Sequence, residues 1–527
     1  MGTYRQKSNV IRPAFVALIL LFLLFGCAKG DLSDRSLTFL SGSSGVNLDD
    51  FKGTYLARAD LKGKSYAVDG ALLDKERVLA LTNEYGTLED PALLKYIAST
   101  ADKLTAAVGK AGIRNFRPRV IVVADPNVGA RATPSGVILI THGLLKQLES
   151  EDQLAFVLGH EMGHVLMHHH DKDWLVKGQR HVVAAGEVGK DMANSLAAST
   201  GKPQGANTSA NNWMLVADGA LIASRDVISP AWNRNQEDQA DLLGVDLMVA
   251  AGYQPREVLK VLQVLRDVEF GGGDTAERKS AENAYSGWTK QAVATNQSVL
   301  GGMGKAVGGA LDAVGKSISE TLSDARRSHR SVDERAALIR DYARREYAQV
   351  NAAPQAKSYG AALANPRTKQ VLQNYDQTTN ALRAMVKAPR NGLETARKGI
   401  AAPTEQDSYP RLVLSQAQFA RGDRTGGIAS LKAATEGPNP ALRAYLTLSE
   451  AYAKANDHKQ AWAVAEAAQK RYQQSEMLLV HRISLHARAG RPKEAQAMAV
   501  QCKLEYPALE QACADAARRG VSSVTQK

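Results

Sequence analysis

From residue 90 to residue 255 the spacing of apolar positions switches between helical and strand periods. Apolar residues three and four apart predict an amphipathic helix near Ala92–Val108. Two short runs follow, Arg119-Val120-Ile121-Val122-Val123 and Val137-Ile138-Leu139-Ile140, and both read as strands. A helix opens at Ser150, whose spacing to Gln153 resembles a capping box, with Glu151 and Asp152 at its positive end. Leu154, Phe156, Val157 and Leu158 give this helix its apolar body, and His168, His169 and His170 are read as finishing it. A further helix carries Ala240, Leu243, Leu247 and Val249 to Ala251, and Gly252 and Pro255 terminate it.

Toward the C-terminus the period lengthens. Gly422, Asn456 and Gly490 stand 34 residues apart, as do Phe419, Ala453 and Ala487. Gly427, Ala461 and Ala495 keep the same register, and so do Leu431, Ala465 and Ala499. Thirty-four residues is the tetratricopeptide period, which predicts helix–turn–helix units that bury their faces only by stacking and present a concave peptide-binding surface. Two polar, Gly-rich stretches read as insertions, Ala197 to Asn212 and Gly271 to Lys316, the second either a flexible loop or a mobile lid. The expected class is α+β, mostly α: a domain with a small sheet, then an α-helical tetratricopeptide-repeat domain. The expected division is 1–26 leader, 27–50 flexible tether, 51–347 catalytic domain, 348–406 helical connector and 407–527 repeats.

The chemistry lies at His160-Glu161-Met162-Gly163-His164. On a helix, imidazoles at i and i+4 share a face and can reach one metal ion, and Glu161 beside them can take a proton from water activated there. This is the layout of a zinc-dependent peptidase. Three candidates compete for the third ligand. His170 has the metzincin spacing, but Met167 stands where that motif needs glycine. Glu187 with Asp191 has the Glu-x-x-x-Asp form, flanked by Gly186 and Gly189 that weaken a helix. Glu237 with Asp241 lies on one face of a well-formed helix, where Glu237 can bind zinc and Asp241 can orient a ligating histidine. Glu237 is the favoured ligand.

These residues resemble the zinc metallopeptidase family that includes HtpX and the CAAX prenyl proteases, most closely its BepA-like periplasmic branch. The resemblance runs through Gly143-Leu144-Leu145, through Glu151 to His160, and through Glu237-Asp238-Gln239-Ala240-Asp241 with Ala250 to Pro255. Gly129 to Gly136 lies where the family reads Asn-Ala-Phe-Ala-x-Pro-Gly-Gly, an edge strand that pairs with substrate; here Gly129 and Arg131 replace the Asn and Phe. Ser328-His329-Arg330 through Arg335 is similar to the family's Thr-His-Pro-x-x-x-x-Arg, with Arg330 in place of Pro. The resemblance implies one zinc per chain, His329 as oxyanion stabiliser and Arg335 as a brace.

Arg5, Lys7 and Arg12 precede an apolar run from Ala14 to Phe25 that ends in Leu24-Phe25-Gly26-Cys27, like a lipoprotein cleavage box. Cys27 would carry the lipid. Ala28 in place of Asp, by resemblance to enterobacterial sorting rules, directs the protein to the inner leaflet of the outer membrane, facing the periplasm. Cys502 and Cys513 are expected to pair in that oxidising compartment. The net charge of +12 raises nucleic acid as a partner, but basic residues are scattered and aromatics are only 6%, so none is expected. The expected function is an endopeptidase for misfolded or misassembled outer-membrane proteins or their assembly machinery. The alternative is a chaperone or assembly factor whose repeats do the work while the protease stays latent.

Overall fold

The computed structural model describes residues 45–66, 70, 85–170, 234–269, 331–438, 440–472 and 476–518. Cys27, Glu187, Asp191, His329 and both expected insertions lie outside the described residues. The class is α+β and mostly α. A short helix α1 (Tyr55–Arg58) precedes α2 (Pro91–Lys110), which starts where the Asp90 side chain accepts from Leu93 N and Pro91 fixes the first turn. Leu93, Ile97, Ala101, Leu104 and Val108 form its buried stripe, as the periodicity predicts.

The sheet has three strands, β1 (Arg119–Val123), β2 (Ala130–Ala132) and β3 (Val137–Thr141), in the order β1-β3-β2. β3 is central, parallel to β1 and antiparallel to β2, and Val137 to Ile140 are all buried, which explains the unbroken apolar run. β2 is an edge strand. Thr133 and Thr141 donate to Val137 and Gly129 across the β2–β3 pair, so by antiparallel alternation Ala130 and Ala132 turn their backbone groups away from β3.

After α3 (His142–Gln147) comes the central helix α4 (Glu151–Leu166), buried along its length apart from His160. Its buried polar start is fully partnered. Lys103, Tyr96 and Tyr253 donate to Glu151, and the backbone amides of Gln254 and Gln355 donate to Asp152. Ser150 Oγ accepts from Gln153 N, but the Gln153 side chain accepts from Glu149 N and donates to Glu257, so the cap is not reciprocal. α4 packs against α5 (Arg234–Ala250) at small residues: an atom added at Gly244 would lie 2.9 Å from His160 N, and one at Gly163 would lie 3.1 Å from Ala240 Cα. The small residues let the two backbones meet. α6 (Val258–Glu269) and α7 (Val332–Tyr347) close this layer, and Tyr342 and Tyr347 both donate to the buried Asp246 of α5.

The C-terminal end of α4 differs from the expectation. The helix stops at Leu166, with Met167 as C-cap and His168 at φ 53° in the left-handed region. His168 N donates to Val165 O at 3.1 Å and His169 N to His164 O at 3.0 Å, the paired bonds of a Schellman turn. His168 to His170 therefore do not form a last helical turn. Tyr66 explains the placement, since its ring stacks on His168 with centroids 5.3 Å apart and its hydroxyl donates to Leu166 O.

The expected connector contributes α8 (Ala356–Leu363), α9 (Pro366–Lys387) and α10 (Leu393–Gly399). These do more than join two parts. Tyr359 donates to Leu145 O, Thr368 donates to the buried Asp90 at 2.6 Å, and one apolar cluster runs from Tyr55 to Leu448. The remaining helices are α11 (Ser408–Ala420), α12 (Arg424–Glu436), α13 (Leu442–Lys454), α14 (His458–Tyr472), α15 (Glu476–Arg488), α16 (Pro492–Glu505) and α17 (Glu510–Arg518). Ser408, Leu442, Glu476 and Glu510 open alternate helices, each 34 residues after the last. Gly422, Asn456 and Gly490, picked out by the period, have φ of 84°, 59° and 73°, the left-handed turn that ends the first helix of each pair. Cys502 and Cys513 form a disulfide between α16 and α17.

Candidate metal centre

The crossing of α4 and α5 brings together residues far apart in sequence. His160 and His164 lie one turn apart on α4, and Glu237 comes from the first turn of α5. Among the described residues these three form the group whose donor atoms lie within 4.8 Å of one another; His170 is not in it. The two Nε2 atoms are 3.1 Å apart, and Glu237 lies 3.8 Å from His160 Nε2 through Oε2 and 3.8 Å from His164 Nε2 through Oε1. Ligands at ~2.0–2.1 Å around a tetrahedral ion are separated by roughly 3.3 Å, so these spacings suit zinc.

The hydrogen bonds behind the rings test that fit. His160 Nδ1 donates to Asp241 Oδ1 at 2.9 Å, which leaves a lone pair on Nε2. His164 Nδ1 lies 2.9 Å from His169 Nδ1, and His169 Nε2 lies 3.0 Å from Gln239 Oε1. The amide oxygen only accepts, so His169 carries its proton on Nε2 and His164 carries its own on Nδ1. With both rings neutral the two Nε2 lone pairs face each other, a repulsive arrangement that a cation between them would turn into ligation. The donor set fits a metal ion.

Asp241 is fully buried. Arg335 grips it through Nε at 2.7 Å and a terminal nitrogen at 2.6 Å, and reaches Glu237 at 3.2 Å with the other. Burial opposes ionisation of Asp241, but the guanidinium and the bonds from Arg335 and His160 outweigh it and hold its carboxyl near about 2. The structure thus places Arg335 as a brace on Glu237 and Asp241 of α5. Glu161 is also buried, and burial pushes it up to about 7, with His160 opposing, Glu237 adding, and the Ala132 amide bonding its carboxylate. That amide belongs to β2, which ends the sheet among the described residues. A carboxylate held near neutrality beside a metal centre can act as a general base.

Sequence reasoning missed His169 and Gln239. On a continuing helix, residue 169 would stand about 140° around the axis from residue 164. Only the early stop at Leu166 turns it back. The one available signal was the run of three histidines shortly after the motif.

Two histidines flanking a glutamate, a glutamate from a second helix and a carboxylate behind the first histidine form the donor arrangement of a His-Glu-x-x-His metallopeptidase centre. Residues 95–343 match the model described as Peptidase family M48. The chain is 28% identical over 160 residues to the mitochondrial metalloendopeptidase OMA1 of Arabidopsis thaliana, covering 29% of this chain and 26% of that protein. It is 24% identical over 210 residues to the putative beta-barrel assembly-enhancing protease of Vibrio cholerae, covering 39% of this chain and 40% of that one. Metalloprotease YcaL of Escherichia coli is 23% identical over 249 residues, 47% of this chain and 84% of the relative. The matches to the first two thus span 40% or less of their lengths.

Proposed function

We propose that this chain is a zinc-dependent endopeptidase of the bacterial cell envelope that hydrolyses misfolded or misassembled outer-membrane proteins. The observation that carries it is the convergence of His160, His164 and Glu237 with the buried Glu161 beside the edge strand β2. One zinc per chain, when held by those three residues, would supply Lewis acidity toward a water and a peptide carbonyl. Glu161 takes the water's proton and passes it to the leaving amine. Ala130 and its neighbours on β2 offer an open edge on which an extended substrate can add as a strand. Arg335 keeps Glu237 and Asp241 in place, and His329 stabilises the oxyanion. The similarity to the putative beta-barrel assembly-enhancing protease of Vibrio cholerae supports a role toward beta-barrel outer-membrane proteins.

In this reading a lipid on Cys27 anchors the protein to the inner leaflet of the outer membrane, with the catalytic domain in the periplasm. The helices after residue 407 are tetratricopeptide-like repeats that recruit unfolded clients. The test is metal content and casein hydrolysis of the purified chain beside Glu161→Gln and Glu237→Ala. One zinc per chain, lost in Glu237→Ala, with hydrolysis absent from a zinc-loaded Glu161→Gln, is the expected result. Hydrolysis by Glu161→Gln, or a wild type that binds no zinc, would refute it.

A further inference from the structure

The two histidines of the centre are held from behind by different chemistry. His160 leans on an anion, Asp241, itself pinned by Arg335. His164 leans on a neutral ring. Its Nδ1 lies 2.9 Å from His169 Nδ1, a separation that requires one proton between two imidazoles. Which ring owns that proton is decided one residue further out, at the 3.0 Å contact of His169 Nε2 with Gln239 Oε1. An amide oxygen cannot donate, so the proton there is on His169 and its Nδ1 is left as an acceptor. His164 must then donate from Nδ1 and present the Nε2 lone pair toward His160 and Glu237.

Residue 169 reaches this position through the backbone. The Schellman turn at His168 makes His169 N donate to His164 O at 3.0 Å, so both the main chain and the side chain of His169 bind residue 164. From the other side α5 grips the same residue twice, with Gln239 on its ring and Gln236 donating to its carbonyl at 3.3 Å. The turn of α5 that supplies Glu237 as a ligand therefore also supplies the support of His164.

We propose that His169 and Gln239 are a positioning pair that fixes the tautomer and ring orientation of His164 for metal binding, without ligating the metal themselves. This rests on the reading of the centre as a metal site. Partners of this kind change metal affinity by roughly 10- to 100-fold when removed.

The experiment is zinc affinity of the purified full-length chain by competition with a chromogenic chelator, for wild type, His169→Phe, His169→Gln and Gln239→Leu. His169→Phe keeps the bulk but removes the acceptor, and affinity should fall about 10- to 100-fold. His169→Gln has an amide oxygen that can accept the same proton, and should recover to within about threefold of wild type. Equal affinity in wild type and His169→Phe would overturn the proposal, as would a His169→Gln no better than His169→Phe. If His169→Phe does not fold, Gln239→Leu decides, since it leaves both rings intact; weaker binding supports the pair and unchanged binding overturns it. Nitrogen-15 shifts of the His164 imidazole in the metal-free chain give an independent readout. A proton on Nδ1 is expected, and one on Nε2 would overturn the assignment. A wild type that binds no zinc would instead overturn the proposed function, and this inference with it.

Discussion

Gly244→Ala is a one-carbon test of how the centre is assembled. An ideal Cβ at that position would lie 2.9 Å from His160 N, 3.1 Å from His160 Cα and 3.3 Å from Gly159 C, all backbone atoms of α4. Non-bonded carbon contacts are comfortable at about 3.5–4.0 Å, so α4 and α5 must separate locally by roughly 0.5–1 Å. Overpacking of this kind costs about 1–3 kcal/mol, offset by the ~1 kcal/mol that alanine gains over glycine in a helix. The net loss of stability should be small, ~0–2 kcal/mol. The metal is affected more, because His160 and His164 ride on one helix and Glu237 on the other. Ligand distances are set to within about 0.2 Å, so the shift should weaken zinc binding at least about tenfold. Gly109→Ala in α2 is the matched control, since nothing lies within 4 Å of its added carbon. It should stabilise by ~0.5–1 kcal/mol and leave the metal alone. The assay pairs chelator competition with thermal unfolding of the metal-free chain. Wild-type zinc affinity in Gly244→Ala would refute the claim that helix approach sets the donor spacing.

Arg335→Met leaves Asp241 buried with only His160 on its carboxylate side, and should cost the metal-free chain about 3–5 kcal/mol in chemical denaturation; a loss under about 1 kcal/mol would mean the guanidinium is not holding the site. Asp241 also predicts an acid limb. Its folded value of about 2 lies below the ordinary 3.8, so its contribution is fully present above about pH 4 and is lost as pH falls toward 2. The stability gap between wild type and Asp241→Asn should therefore shrink by ~2 kcal/mol between pH 5 and pH 2, and a constant gap would contradict the assignment. The Cys502–Cys513 bridge closes a short loop, with a sequence separation of 11, worth about 3 kcal/mol in chain entropy. Cys502→Ser should raise amide exchange in α16 and α17 and leave α4 unchanged; equal protection with and without the bridge would refute this.

Where one periodicity acts alone, the sequence was readable. β1 runs from Arg119 to Val123 as the apolar pattern predicts, and the 34-residue period picked out the three positions of the repeats that adopt positive φ. His160, His164, Glu237, Asp241 and Arg335 were all legible as chemistry, and the structure brings them into one cluster. What the pattern could not supply was geometry imposed from outside a segment. His168 adopts a left-handed backbone without being glycine because Tyr66, about a hundred positions earlier, stacks on its ring and holds the helix end at Leu166. Such tertiary support is invisible to local propensity. Ser150 illustrates the same limit: its spacing to Gln153 resembled a reciprocal cap, yet Glu257 drew the glutamine side chain away. The reciprocal box formed instead at Ser331 and Glu334, at the start of the helix that carries Arg335.

The segment expected as a connector changes how the two halves of the chain relate. A flexible connector would leave exposed polar groups at both ends and a separate core on each side. Here the amide of Gln355 bonds Asp152, Tyr359 reaches the carbonyl of Leu145, and Thr368 bonds Asp90 at the cap of α2. Each of these contacts ends on a helix that frames the metal centre or on its immediate neighbour. The apolar cluster continues without a break through Tyr375 and Tyr409 into Leu431, Ala444 and Leu448. The first repeat helices are therefore fixed to the catalytic layer by shared core, while the last ones form their own small clusters around Val480 and Cys502. Rigidity should fall along the array from α11 to α17. If the array recruits clients as proposed, one captured near α11 would sit on a surface whose distance from Glu161 is set by shared core, and one captured near α17 on helices that lie outside that core.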